Sequence, residues 1–225
     1  PEQRIKLTKD YKAMPEQFYS QTGFPVITPK NVANFVKHVQ NENFTVFTCQ
    51  EICSGSSRLT FYSFLDGQCP LFPVDYRYGW NLRNNEHRKL LTWVYNELTV
   101  LYKFFSPTCR PWSRSSNRTP VQDLMAEREL ETPTLQWIVD TCKRERKKGH
   151  DHSLENPVSA DIWEKSPLKQ MESEEDNRDD ICDQCRHGCK LETGEPIKKR
   201  TKIRGTVSYT HLRAHETSLH LVCRL

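Results

Sequence analysis

The chain has 225 residues, of which 36% are hydrophobic, 28% charged and 10% aromatic. That is enough for one domain with a real core. With only 8 Gly and no apolar run approaching ~18 residues, collagen-like, low-complexity and membrane-spanning classes are excluded. The net charge of +4 is too small to argue by itself for a nucleic-acid partner. Nine Cys without an apolar leader read as reduced intracellular thiols rather than a disulfide framework. The start at Pro1-Glu2-Gln3-Arg4, with neither Met nor a signal segment, reads as a piece of something longer.

Residues 1–25 are polar and aperiodic, a linker from an upstream region. Thr28-Pro29 reads as a helix cap with Pro at the first turn, and Val32, Phe35, Val36 and Val39 form one apolar face behind it. Phe44 to Ile52 is β-branched and aromatic, a strand, and it runs into the small-residue turn Cys53 to Ser57. A helix begins at Arg58, and Leu71 to Asp75 reads as a second strand. Leu90, Leu91, Val94 and Leu98 mark a helix over 84–98, followed by a third strand from Thr99 to Ser106. Thr132-Pro133 repeats the cap signal ahead of Leu135, Ile138, Val139 and Cys142, and Lys147-Lys148-Gly149 supplies a basic last turn and a C-terminal glycine. His152 to Glu155 is the fourth strand, stopped by Asn156-Pro157. Strands alternating with helices predict an α/β fold, a mostly parallel sheet with helices on both faces.

Open α/β sheets bind ligands beyond the carboxyl ends of their strands. Four features fall there: the Ser54-Gly55-Ser56 turn, Asp75, the Ser106 to Cys109 segment, and Glu155-Asn156. A flexible turn, an acid, a thiol and a second carboxylate are thereby predicted to share one edge. Each also has a plain reading, as a turn, a cap, a buried thiol and a strand stop.

The string EICSGSSRLT, Glu51 to Thr60, is similar to the Glu-x-Phe-Ser-Gly-x-Gly-x-x-Thr cofactor motif of cytosine-5 DNA methyltransferases. SPTC, Ser106 to Cys109, resembles their Pro-Pro-Cys nucleophile loop, and LEN, Leu154 to Asn156, their Glu-Asn-Val strand end. Over about 44–204 the chain resembles more closely the methyltransferase-like module of copia-type retroelement polyproteins. The strings carrying this are PVDYRYGWNL from Pro73, CRPWS from Cys109, ENPVSADIW from Glu155, DQC from Asp183 and GEPIKKRTK from Gly194.

The resemblance implies a truncated Rossmann-like domain over 26–204 that uses S-adenosylmethionine, with Glu51, Ser54, Gly55 and Asp75 at the cofactor. It implies Cys109 as nucleophile, Arg110 lowering the thiol's pKa, and Glu155 protonating the N3 edge of cytosine. Arg114, Lys198, Lys199 and Arg200 are the expected nucleic-acid contacts, DNA ahead of RNA. Other segments of a polyprotein are further expected partners, a membrane is not, and the expected location is intracellular, the nucleus ahead of the cytoplasm. Three residues depart from the family pattern: Ser57 for the second glycine, Cys53 for the aromatic residue, and Thr108 for the proline before the nucleophile. A catalytically degenerate module that binds nucleic acid or a partner is therefore the alternative.

Cys182, Cys185, His187 and Cys189 form a rival zinc-binding segment, although four ligands within eight residues lack the usual two separated pairs. The resemblance assigns Asp183 to Cys185 to a strand without metal, so no metal is expected. Glu172 to Asp180 reads as a solvated acidic linker or helix face. Residues 205–225 resemble a translated sequencing-adapter tail and are set outside the fold.

Overall fold

A computed structural model describes residues 26–55, 57–113, 119–174, 176–183, 195 and 200–206. The elements in chain order are α1 (Val32–Asn41), β1 (Val46–Ile52), α2 (Arg58–Leu65), α3 (Asn85–Glu97), β2 (Thr99–Phe105), α4 (Val121–Lys147), β3 (Asp151–Pro157), α5 (Ile162–Lys165), β4 (Arg178–Asp183) and β5 (Arg200–Gly205). The fold is α/β, and its five strands lie in the order β1-β2-β3-β5-β4. β1, β2 and β3 are parallel, whereas β5 is antiparallel to both β3 and β4. The sheet is thus mixed around a parallel core, a correction to the mostly parallel sheet expected from sequence.

The apolar stripes behave as their spacing predicts. Val32, Val36 and Val39 of α1, Leu91 and Val94 of α3, and Leu135, Ile138 and Val139 of α4 join Ile52, Phe105 and Leu154 of the sheet in one large core. Leu59 of α2 joins Phe104, Cys182 and Ile203 in a smaller one. Phe104 and Phe105 are adjacent strand residues and face opposite ways, so α2 covers one face and the longer helices the other.

Three local expectations are corrected. Leu71 to Asp75 is no strand. It lies extended beside β1, held by Leu71 N–H to the Cys49 carbonyl (2.7 Å) and Val74 N–H to the Glu51 carbonyl (2.9 Å), with a single bridge between Ile52 and Val74. Thr132-Pro133 does not start a helix, because α4 begins eleven residues earlier at Val121 and carries Pro133 in its interior. Thr132 instead turns its hydroxyl onto the Arg128 carbonyl at 2.8 Å. Finally, the acidic run ending at Asp180 enters strand β4, where Asp179 pairs with Lys202 (2.9 Å) and Arg204 (2.6 Å) of β5.

The boundary near 205 also moves. Gly205 pairs with Ser153 and Arg178 as the last residue of an interior strand, and the Thr206 hydroxyl donates to Asp151 at 2.8 Å. A Cβ on Gly205 would collide with the His152 carbonyl and the Ser153 hydroxyl. Gly205→Ala should therefore cost about 1–3 kcal/mol, seen as a melting temperature lower by roughly 5 °C. An unchanged melting curve would place Gly205 outside the cooperative fold. The rest of the tail, 207–225, lies outside the described residues.

Candidate functional site

β1 and β2 finish level with one another, beside Leu154 of β3, which runs on to Pro157 against β5. Ile52 is in register with Phe105, and Phe105 with Leu154, so Cys53, Ser106 and Glu155 come next at one edge. Ser106 N–H continues the ladder to the Ile52 carbonyl at 3.0 Å.

At the β1 end the chain turns sharply. Cys53 (φ 58°), Gly55 (φ 54°) and Ser57 (φ 54°) all occupy the left-handed region, which costs a non-glycine residue about 1–2 kcal/mol. Gly55 N–H donates to Asp75 Oδ2 at 2.8 Å, and Asp75 Oδ1 accepts from Arg77 N–H at 3.0 Å. The acid expected at the second strand end is thus tied to the turn after the first. The position a Cβ of Gly55 would take is open, with nothing within 4 Å. Ser57 caps α2 from its strained backbone. Its hydroxyl lies 3.0 Å from that of Ser54 and 2.7 Å from the Tyr78 hydroxyl, to which it donates. Burial pushes the Tyr78 phenol up to about 12, and burial likewise drives the Cys53 thiol well above its usual range.

Glu51, the last acid of β1, is fully buried. Its Oε2 accepts from the N–H and the hydroxyl of Thr60, both at 3.1 Å, which ties β1 to α2, and Oε1 is buried with no hydrogen-bond partner. Burial raises this carboxyl to about 8, against the lowering effect of the Thr60 bonds. The folded chain therefore keeps a proton that the unfolded chain releases from about 4.5. Stability from this group is complete below that value and is lost as pH rises through about 8. Glu51→Gln keeps an acceptor for Thr60 and has no proton to lose. It should flatten the alkaline fall in melting temperature and stabilise the chain by several degrees near pH ~9. An alkaline slope equal to that of the parent in differential scanning fluorimetry would contradict this assignment.

The ends of β2 and β3 are stitched together. Ser106 Oγ donates to Glu155 Oε2 at 2.8 Å, and Asn156 Nδ2 donates to the Pro107 carbonyl at 2.8 Å. Glu155 Oε1 and Asn156 Oδ1 are both buried without a hydrogen-bond partner. Cys109 follows two residues beyond Pro107, partly exposed, as the cap of a 3-10 turn over Arg110–Trp112. Arg128 of α4 anchors that turn. It donates to the Pro111 carbonyl at 2.8 Å and to Asp161 at 3.2 Å, and lies 5.0 Å over the Trp112 ring. The Arg110 side chain is 79% exposed, with its guanidinium 3.9 Å from Glu127.

Gly55, Asp75, Ser106, Cys109 and Glu155 are therefore brought to one edge of the sheet, with Ser54 buried beneath the turn. Because β5 runs antiparallel, its first residue Arg200 arrives at the same edge, where its carbonyl accepts from Val158 N–H at 3.1 Å. Arg200 is paired with Asp183 at 3.4 Å. Arg114, Lys198 and Lys199 lie outside the described residues, as do Cys185, His187 and Cys189. Cys182 is buried in β4, and among the described residues no cluster of His, Cys, Asp and Glu could hold a metal.

Sequence reasoning placed Ser106 at the strand end without giving it a role, and it missed Tyr78 and Arg128 as contributors. Only Ser106 carried a signal, as a hydroxyl one step past a strand that ends beside a carboxylate. No helix among the described residues is long and apolar enough to cross a membrane. The chain matches no protein-family model, no curated protein and no solved structure.

Proposed function

We propose that the chain is a Rossmann-like, methyltransferase-like domain related to cytosine-5 DNA methyltransferases, of the kind carried by copia-type retroelement polyproteins. The observation that carries this reading is the stitched pair of strand ends. Ser106 fixes one oxygen of Glu155, the other stays buried without a hydrogen-bond partner, and the Cys109 turn follows directly. A buried polar atom without a partner is costly, and it is accounted for when a substrate group completes it.

The residues at the β1 end fit S-adenosylmethionine. Gly55 leaves open space for close approach, and Asp75 is held by two backbone N–H groups with lone pairs remaining for ribose hydroxyls. When bound, that cofactor supplies an electrophilic methyl group. Cys109 adds as a thiolate to C6 of cytosine, which makes C5 nucleophilic, and it leaves again once the C5 proton is lost to solvent. Glu155 holds the proton at N3, so that charge does not accumulate on the ring during attack. Duplex DNA must present the base unstacked to reach this edge.

A second reading, a degenerate module that binds nucleic acid in the nucleus without catalysis, is favoured by two details. Both Asp75 oxygens already accept backbone bonds, and Ser57 puts a side chain where the motif has glycine. Isothermal calorimetry of the full chain with S-adenosylmethionine separates the two. The catalytic reading expects saturable binding that is lost in Asp75→Ala, and absence of any heat of binding rejects it.

A further inference from the structure

The edge that carries Cys109 and Glu155 also carries features that neither cofactor nor nucleophile uses. Tyr76 follows Asp75 in a 3-10 turn and is 78% exposed, although it is a large aromatic side chain. Arg77 beside it is exposed as well. The turn is rigid, pinned by Asp75 at its start and closed by Gly79 at φ 81°. Arg110 and Arg200 project from the β2 and β5 ends of the same edge, 79% and 61% exposed. Arg110 lies 3.9 Å from Glu127 and Arg200 3.4 Å from Asp183, long pairings in which the arginine is the exposed member and the carboxylates are 32% and 21% exposed.

The order along the edge is fixed by topology. It runs from the 69–75 segment beside β1, through β1, β2 and β3, to β5. Four strand spacings of ~4.8 Å put the Tyr76-Arg77 turn about 19 Å from Arg200, with the Arg110 turn between them. A single strand stacked as in a duplex rises ~3.4 Å per nucleotide and rises more when extended, so this length takes a short run of nucleotides.

We propose that the carboxyl edge of the sheet is a binding strip for single-stranded nucleic acid, in which Tyr76 stacks a base while Arg77, Arg110 and Arg200 hold phosphates. The inference rests on the methyltransferase-like reading in taking the bound strand as the substrate that reaches Cys109. An aromatic face combined with spaced cations is the chemistry that holds a single strand with little sequence preference. A polyanion without bases would use the arginines and ignore Tyr76.

The test is fluorescence anisotropy of a short labelled single-stranded DNA titrated with the full chain. Tyr76→Ala should weaken binding about tenfold. Arg77→Glu, Arg110→Glu and Arg200→Glu together should weaken it by at least a hundredfold. The neutral triple variant, with Gln at the same positions, should lower the slope of log affinity against log salt by about 0.7 per arginine. Lys147→Glu, on the last turn of α4 at the opposite edge, should bind as the parent does. The proposal is overturned if either triple variant retains parental affinity, if Lys147→Glu weakens binding as much, or if Tyr76→Ala is silent. It is also overturned if polyglutamate competes as well as DNA. Loss of S-adenosylmethionine binding with these DNA results intact would remove the catalytic reading and leave the strip standing. Cofactor binding with a silent strip would do the reverse.

Discussion

Glu145→Ala should destabilise the chain by about 3–5 kcal/mol, because it strands a buried ammonium. Lys103 sits in the middle of β2 with a side chain only 1% exposed. Its Nζ donates to Glu145 Oε2 at 2.8 Å and to the Val100 carbonyl at 3.0 Å, and it lies 4.7 Å over the Tyr95 ring. Burial pulls the Lys103 ammonium down, and Glu145 opposes that fall. Burial alone would raise Glu145, but Lys103, with His150 and Lys148, holds its carboxyl down at about 2. The contribution of Glu145 is therefore complete above about 4.5 and is lost as pH falls through about 2. Denaturant unfolding at neutral pH should show the full loss in Glu145→Ala. The double variant Lys103→Met/Glu145→Gln should recover most of it, since no buried ammonium is stranded, the amide oxygen still accepts from Lys148 and the amide NH2 can donate to the His150 ring. A loss below about 1 kcal/mol in Glu145→Ala would mean that the pair is already hydrated or neutral.

The same buried charges explain where the sequence was legible. Apolar patterning locates β1, β2 and the buried faces of α1, α3 and α4, whereas β3, with Leu154 among buried polar residues, is marked by its stop at Asn156-Pro157. The patterning passes over Lys103 in an apolar strand, since nothing nearby in sequence announces Glu145, forty-two residues away. It misses β4 and β5 for the same reason. Their Asp and Lys/Arg residues are neutralised across the ladder, where Asp179 faces Arg204 in register, and Arg204 is 1% exposed. A strand stabilised by cross-strand ion pairs reads locally as a solvated linker. The first half of α4 is silent too. Val121, Met125 and Leu130 are all exposed, so no apolar stripe precedes Pro133.

The candidate site was legible where chemistry coincides with a strand end. Gly55, Asp75, Cys109 and Glu155 are found at one edge because β1 and β2 end in register beside Leu154, so that the turns after them meet the last residues of β3. Asp75 arrives there by a different route from the one expected, as the end of an extended segment hydrogen-bonded along β1 rather than of a strand. The supports that fix these groups were not legible. Tyr78 reaches Ser57 across twenty-one residues, and Arg128 reaches Pro111 across seventeen. Such pairings follow from packing rather than local pattern.

On the catalytic reading proposed above, Cys109→Ser should abolish methyl transfer and covalent trapping by a 5-fluorocytosine substrate, because a hydroxyl is too weak a nucleophile to add at C6. Glu155→Gln should leave cofactor binding intact and slow turnover by about 10²-fold or more, since an amide holds the ring edge without supplying its proton. Ser106→Ala probes positioning separately. It removes only the 2.8 Å bond that orients Glu155, so kcat should fall by about tenfold with KM and cofactor affinity unchanged. A merely structural role for Ser106 would move cofactor affinity and melting temperature as well. The departures at Ser57 and Thr108 can be reversed. Ser57→Gly relieves a left-handed backbone at φ 54° and also removes the bond to Tyr78, whereas Thr108→Pro stiffens an exposed position next to the thiol. If these two residues are what depresses activity, the double revertant should bind S-adenosylmethionine more tightly and turn over faster than the parent. A revertant that binds cofactor yet neither methylates DNA or RNA nor forms a trapped adduct would end the enzyme reading. In that case the buried, unfilled oxygen of Glu155 would be a structural cost at an edge that binds nucleic acid without acting on it.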